Sequence, residues 1–466
     1  MNDSPPSFRF PGFAGRVGLA RWDITPPPDA EVRNWGAADF GRAEGIHRPL
    51  AGTVLALRET EESAPLVLAS LNLGWWRRQG DLDWLGEAVR SEHALPPSHF
   101  ILHLTHTHAG PSLMLLGEEG PTDYARFLRE GLLEAVRAAL AGARPSALHW
   151  RQGRCGLAAN RDLPDPDNPS RYLVGWNPDA DADDALLVGD IRGDDGERRG
   201  TIVNYACHPT TLGWKNRLIS PDYVGALQET VEAQTGGAPC LFLLGACGEL
   251  APPEQYSGDA DLADRHGREI GFAALSVLQG MGEPATELAY ARAAESGAPL
   301  ALWERRPRSL PANLEAGRAD VALDLKTDLP SETEILAALE RETDPPRRVR
   351  LERKLHVRRQ FDDSGKSREA IWYWRIGDTL LAASPFEAYS DLQTGLRAAF
   401  PGRPVLVANI CNGHKGYLPP ADLYGQDRYA VWQTPFAQGS LETVSHALAT
   451  QLHSLLDEQS KARFEG

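Results

Sequence analysis

The apolar positions of the chain fall into two alternating patterns. Leu66 to Leu73, Phe100 to Leu104, Gly200 to Tyr205 and Cys240 to Leu244 are short runs of β-branched or large apolar side chains bounded by turn formers. Such runs predict buried strands. Between them, Asp81 to His93, Asp123 to Ala141, Tyr223 to Thr235 and Asp261 to Leu278 space their apolar residues at helical intervals and leave one face polar. The alternation from Gly15 to about Val277 predicts an α/β fold, with mixed β-sheets, flanking helices, and loops that carry the polar motifs.

Beyond residue 329 the character changes. Pro330-Ser331-Glu332-Thr333-Glu334 reads as a helix start, and Asp344-Pro345-Pro346 breaks that helix before a second, very charged one. The segment at about 329–366 is either a solvated helical hairpin or a lid or subunit contact. Strand patterning returns from Ala370 in Trp372 to Ala383 and in Pro404 to Asn409, and a last helix runs from about Leu441 to Leu456. Residues 1–13 are Pro-rich and polar and predict a loose tail. Residues 14–466 then form a single domain with the charged helical insertion inside it.

Composition narrows the function. The chain has 466 residues, 42% of them apolar, and twelve tryptophans, enough for a substantial core. Its net charge of -16 argues against nucleic acid as a partner, because phosphate contacts need a basic surface. No apolar run is long enough for a membrane span, so stable membrane insertion is not expected. The first residues lack a basic segment followed by an apolar one, as a signal peptide would have. Five cysteines without a Cys-x-x-Cys pair fit a reducing compartment, and the expected location is cytoplasmic.

The candidate chemistry lies at strand ends. His106-Thr107-His108-Ala109-Gly110-Pro111 follows the Phe100 run, and strand geometry would point His106 and His108 to one face. His208 stands in a similar setting, in Cys207-His208-Pro209-Thr210. Neutral imidazole is a good metal ligand, so these three are either the start of a metal site or packed histidines. His103, on the opposite face, reads as structural or solvent-facing.

Further motifs follow in order: Asn160-Arg161, Ser220-Pro221-Asp222, Leu244 to Pro252, Ser384-Pro385-Phe386-Glu387, and Asn412 to Tyr417 with Tyr429 twelve residues later. Each has a plain alternative. Glu387 can be a surface carboxylate, Tyr417 a core tyrosine, and Arg161 a partner of Asp162 or Asp165. Asp222 reads as a helix cap or as a residue supporting the site.

This ordered set, with Asp23-Ile24-Thr25-Pro26 near the start, resembles the catalytic domain of the neutral ceramidase family. The resemblance runs from about Gly18 to the closing helix. It implies one zinc per chain, held by His106, His208, Glu387 and Tyr417, with His108, Arg161 and Tyr429 as catalytic residues around the substrate. It also implies hydrolysis of the amide bond of an N-acyl substrate, a ceramide-like lipid or a smaller compound. The alternatives are a zinc esterase or deacetylase acting on small molecules, or a binding protein that keeps the fold. Ala251-Pro252-Pro253, Ala109 and Leu418-Pro419-Pro420 depart from the family's pattern and put the substrate, not the metal chemistry, in question. Glu249 replaces the family's usual Asp, where it either supports the site or binds a second, structural ion. The chain ends where the family's C-terminal immunoglobulin-like domain would begin.

Overall fold

The computed structural model describes residues 7–462 apart from 33 and 118. Eight strands form the larger sheet: β1 (Gly12–Asp23), β2 (Ala51–Arg58), β3 (Leu66–Leu71), β4 (Phe100–Leu104), β5 (Arg144–Arg154), β6 (Ala185–Gly193), β7 (Arg198–Tyr205) and β8 (Cys240–Leu244). Their order is β8-β7-β6-β5-β1-β2-β3-β4, antiparallel except for the parallel pair at each end. A second sheet holds β9 (Leu314–Asp324), β10 (Lys366–Ile376), β11 (Thr379–Ala383) and β12 (Val405–Ala408), in that order, and its last pair is parallel.

Parallel neighbours need a crossover, and each of the three pairs has a helix between its strands. These are α1 (Gln79–His93), α3 (Tyr223–Gln234) and α7 (Asp391–Ala399). The other long helices are α2 (Asp123–Ala141), α4 (Ala260–Gln279) and α9 (Ser440–Ala462), while α5 (Glu332–Arg341) and α6 (Pro345–Arg358) form a hairpin. Ser331 and Glu334 close a capping box at the start of α5, and Asp344 caps α6 just before its two prolines. A short helix, α8, spans Tyr429–Gln433.

The two sheets stack face to face, with helices on both outer faces. Alternate side chains on each strand choose the layer. Val54 and Ala56 of β2 face the helices α1 and α2, whereas Leu55 and Leu57 face the second sheet. On β10, Trp372 and Trp374 point into the seam between sheets, while Ile371 and Tyr373 join α7 and α9. The seam also holds Phe13, Trp150 and Leu381, and Trp374 donates its indole N–H to the Ser98 carbonyl at 2.7 Å. Strands covered on both faces need no polar alternation, which is why they read as continuous apolar runs.

Several expectations change in detail. The pattern from Trp372 to Ala383 is not one strand but the β10–β11 hairpin. Its turn is at Gly377, where φ is +58° and an added Cβ would meet the Gly12 carbonyl at 2.4 Å. Residues 7–9 of the expected tail pair with 287–289, and residues 1–6 lie outside the described residues. Strand β4 ends at Leu104, so His106 and His108 do not share a strand face. His106 instead has φ +69°, a sharp turn that redirects the chain.

Asp222 proves to be the N-cap of α3, at φ +55°. Its carboxylate accepts the backbone N–H of Tyr223 at 2.7 Å and of Leu212 at 2.9 Å. Burial outweighs these bonds and pushes its pKa up to about 6. The folded-state value therefore lies above that of the unfolded chain, and the folded form prefers the protonated acid. This contribution to stability is complete below about pH 4 and is lost as pH rises through about 6. Asp222→Asn tolerates the same backbone and cannot ionise. Relative to wild type, its unfolding free energy should gain about 2–3 kcal/mol between pH 4 and 7.5, measured by urea denaturation. A constant difference across that range would show that Asp222 does not titrate there.

Candidate metal centre and its cavity

The three crossover units converge on one place. The chain leaving β4 carries His106 and His108, that leaving β7 carries His208, that leaving β11 carries Glu387, and that leaving β12 carries His414 and Tyr417. Carboxyl ends of parallel strands are where α/β sheets bind ligands, because the chain leaves the ladder there and its loops are free to shape a site. Between β12 and Tyr417 the chain threads between the two ends of the larger sheet. Asn409 N–H donates to Leu244 at 3.0 Å on β8, and Asn412 N–H to Leu102 at 2.9 Å on β4. Glu387 and Tyr417 are then register partners in a two-residue parallel ladder.

Two histidines are oriented from behind. His106 Nδ1 lies 3.2 Å from the Gly74 carbonyl oxygen, and His208 Nδ1 lies 2.5 Å from that of Cys247. A carbonyl only accepts, so each Nδ1 carries a proton and, in a neutral ring, Nε2 is a bare lone pair. Both Nε2 atoms face the same carboxylate oxygen, Glu387 Oε2, at 3.3 and 3.0 Å. Burial, assisted by the Arg161 charge, pushes the His208 pKa down to about 3, so its ring is neutral. Burial alone would raise the Glu387 pKa; without a metal, it is protons turned toward Glu387 by His106, His208 and His414 that outweigh burial and hold the group well below the ordinary carboxylate range. Arg161 Nη2, 3.2 Å from His208 Nε2, offsets part of the repulsion among these acceptors, and a metal cation among them would offset the rest.

His108 adds a third imidazole. Ring nitrogens of His106, His108 and His208 all lie within 4.8 Å of one another, a spacing that can hold a metal ion. Both nitrogens of His108 are buried without a hydrogen-bond partner, although its ring sits 5.0 Å from each of the Trp35 and Trp75 rings. Burial, then the charge of His106, pushes the His108 pKa well down. Tyr417 stacks on His208 with ring planes 9° apart, and its hydroxyl accepts from Arg161 Nη2 at 3.1 Å. Burial, followed by Glu387, drives the Tyr417 pKa far up, so only a cation beside it would let the phenol ionise. Arg161 does not pair with Asp162 or Asp165. Its guanidinium is anchored by two bonds to the Gly248 carbonyl, at 2.7 and 3.1 Å.

A cavity of about 470 Å³ opens over this centre. Tyr429, at the start of α8, lines it with its ring 5.6 Å from that of Tyr417. Trp35, Trp75, Trp214 and Tyr256 form an aromatic wall, and α6 of the charged hairpin lies across the cavity with Val349, Arg353 and His356. Sequence reasoning had not singled out His414, whose Nε2 is 2.8 Å from Glu387 Oε1, nor Trp75 and Arg353. Only His414 left a signal, its place between Asn412 and Tyr417. Glu249 lies apart from the histidine cluster. It accepts the Ser390 N–H at 3.0 Å together with the Ser390 hydroxyl, and burial pushes its pKa up to about 8. His103 is fully buried and structural, between the Ser70 hydroxyl at 2.9 Å and the Leu244 N–H at 3.1 Å.

No protein-family model matches the chain. Among curated proteins, a neutral ceramidase from Pseudomonas aeruginosa is 27% identical over 277 residues, which cover 55% of the chain and 40% of that protein. One from Mycobacterium tuberculosis is 28% identical over 254 residues, 48% of the chain and 37% of its own length. The match thus spans about two fifths of these relatives. Among solved structures, a ceramidase complexed with C2 aligns with a TM-score of 0.69 at 17% identity, over 96% of the chain and 76% of that structure. The neutral ceramidase of Pseudomonas aeruginosa aligns at 0.68 and 17%, over 97% and 75%. The chain is thus similar in sequence to neutral ceramidases over about half its length, and shares their fold over nearly all of it.

Proposed function

We propose that the protein is a zinc-dependent hydrolase that cleaves the amide bond of an N-acyl substrate. The observation that carries this reading is the convergence of two imidazole lone pairs and one carboxylate oxygen on a single buried point, each histidine fixed from behind by a backbone carbonyl. His106, His208, Glu387 and Tyr417 would hold the ion, a nitrogen and oxygen set that suits zinc. When bound, zinc supplies Lewis acidity for activating water and polarising a carbonyl.

The chain's own residues do the rest. His108 is neutral and unpartnered, so it can take a proton from the attacking water and return it to the leaving amine. Arg161 is held rigidly against Gly248, and it offers N–H groups to the oxygen that gains charge at the tetrahedral stage. The Tyr429 hydroxyl, on the cavity wall, is a second donor. The aromatic wall and α6 restrict water and seat the acyl or amine portion. A lipid such as ceramide, or a smaller N-acyl compound, is the substrate class.

Purified protein should contain about one zinc ion per chain, measured by mass spectrometry, and should hydrolyse N-acyl amides. A chelator should abolish turnover, and added zinc should restore it. Folded protein that takes up no metal would overturn the reading. Matched esters cleaved while the amides stay intact would reassign the bond.

A further inference from the structure

The cavity is less acidic than the chain, because its lining sets three arginines against three glutamates. The protein carries a net charge of -16, yet Arg77 and Arg353 both line the cavity beside the histidines. Both guanidinium groups lie against the Trp75 indole, with Cζ at 6.0 and 5.7 Å from the ring centroid. Burial first, and then the Arg353 charge, holds the Arg77 pKa below its ordinary value. Arg353 bonds only neutral groups, the Asn34 carbonyl and the Tyr429 hydroxyl at 3.4 Å. Among the described residues no carboxylate forms an ion pair with it, and the nearby acids that line the cavity, Glu31 and Glu352, are solvent-exposed. Arg353 thus brings a positive charge to a partly dry cavity while bonded only to neutral groups, an arrangement that an anion would improve.

The position of this pair fits a substrate reaching away from the metal centre. Trp75 touches both, its ring 5.0 Å from the His108 ring and 5.7 Å from Arg353 Cζ. We infer that the substrate carries an anionic group, a carboxylate or a phosphate, a few bonds from the scissile amide, and that Arg353 recognises it. This rests on the reading of the site as an amide hydrolase. It gives the charged hairpin a purpose, because α6 brings Arg353 across the cavity and thereby sets specificity. A guanidinium fork suits both anions, so the shared chemistry is assigned and experiment separates the two.

Two matched pairs test the inference on the zinc-loaded protein: an N-acyl amino acid against its primary carboxamide, and an N-acylethanolamine phosphate against the N-acylethanolamine. Calorimetry should show the anionic member of at least one pair binding about tenfold or more tightly, and the larger ratio identifies the anion. Arg353→Met should bring the ratio near one, and Arg353→Lys should keep part of it. Equal affinities within both pairs for the wild type overturn the inference even if a variant fails to fold, as does a preference that survives in Arg353→Met. Hydrolysis followed in the same samples separates the two readings. Amide cleavage without anion preference leaves the proposed function standing and removes this inference. Anion-selective binding without cleavage does the reverse.

Discussion

Glu387→Gln should empty the metal centre and lower amide turnover about a thousandfold, without unfolding the protein. Glutamine keeps the shape of the side chain, so packing around it is preserved. It removes the carboxylate that, alone among the described residues, faces both His106 and His208. The loss of the ion's transition-state stabilisation, several kcal/mol, corresponds to that factor in rate. The amide also changes what the metal-free site feels. Its N–H₂ can donate to the His106 Nε2 lone pair, whereas His208 Nε2 already lies 3.2 Å from Arg161 Nη2. The metal-free variant should therefore be at least as stable as metal-free wild type. Added zinc should raise the Tm of wild type and leave that of the variant unchanged, since a ligand stabilises only the state that binds it. Scanning calorimetry with and without zinc reads both effects. A variant that still binds one ion with wild-type affinity would remove Glu387 from the ligand set.

The second large effect is at a distance from the metal. Trp374→Ala should cost about 3–5 kcal/mol of stability, as expected for deleting a large, fully buried aromatic side chain. The Ser98 carbonyl also loses its donor. Trp374 stands in the seam that holds the second sheet on the first. The histidines leave the larger sheet, whereas Glu387 and Tyr417 follow strands of the smaller one, so the seam sets the gap between the two halves of the proposed ligand set. A loosened seam should weaken zinc binding by about 10–100-fold although no ligand is touched, the range seen when supporting contacts of a metal site are lost. Competition with a chromophoric chelator measures this. Unchanged affinity in a destabilised variant would mean that the threaded segment at 409–412 alone keeps the halves in register.

Some elements were legible because of where they lie. β4, β8 and α2 match the pattern residue for residue, since a strand covered on both faces is a plain apolar run and α2 has one dry face. β1 was not singled out. It is glycine-rich and half exposed, and its partners β5 and β2 lie far away in sequence. The strand Pro299–Pro307 is exposed along nearly its whole length and so carries no burial signal. At the site, the imidazoles of His106 and His108 do approach each other, with ring centres 4.9 Å apart, but through a turn at positive φ rather than by strand alternation. Local sequence cannot show such a turn, because tertiary packing forces it. Arg353 was invisible for a related reason: in a helix so rich in charge, only the packed structure reveals which charge points inward.

The threaded segment and the three crossovers also bear on how the protein reaches its native state. His106 and Glu387 meet across 281 residues of chain. Closing a loop of that length has a large entropic cost, and nothing local offsets it until both sheets exist. A metal held by the proposed ligands would therefore not nucleate folding, as it does in small zinc domains. It would arrive last, when the carboxylate half docks on the imidazole half, and would then slow their separation more than it hastens their meeting.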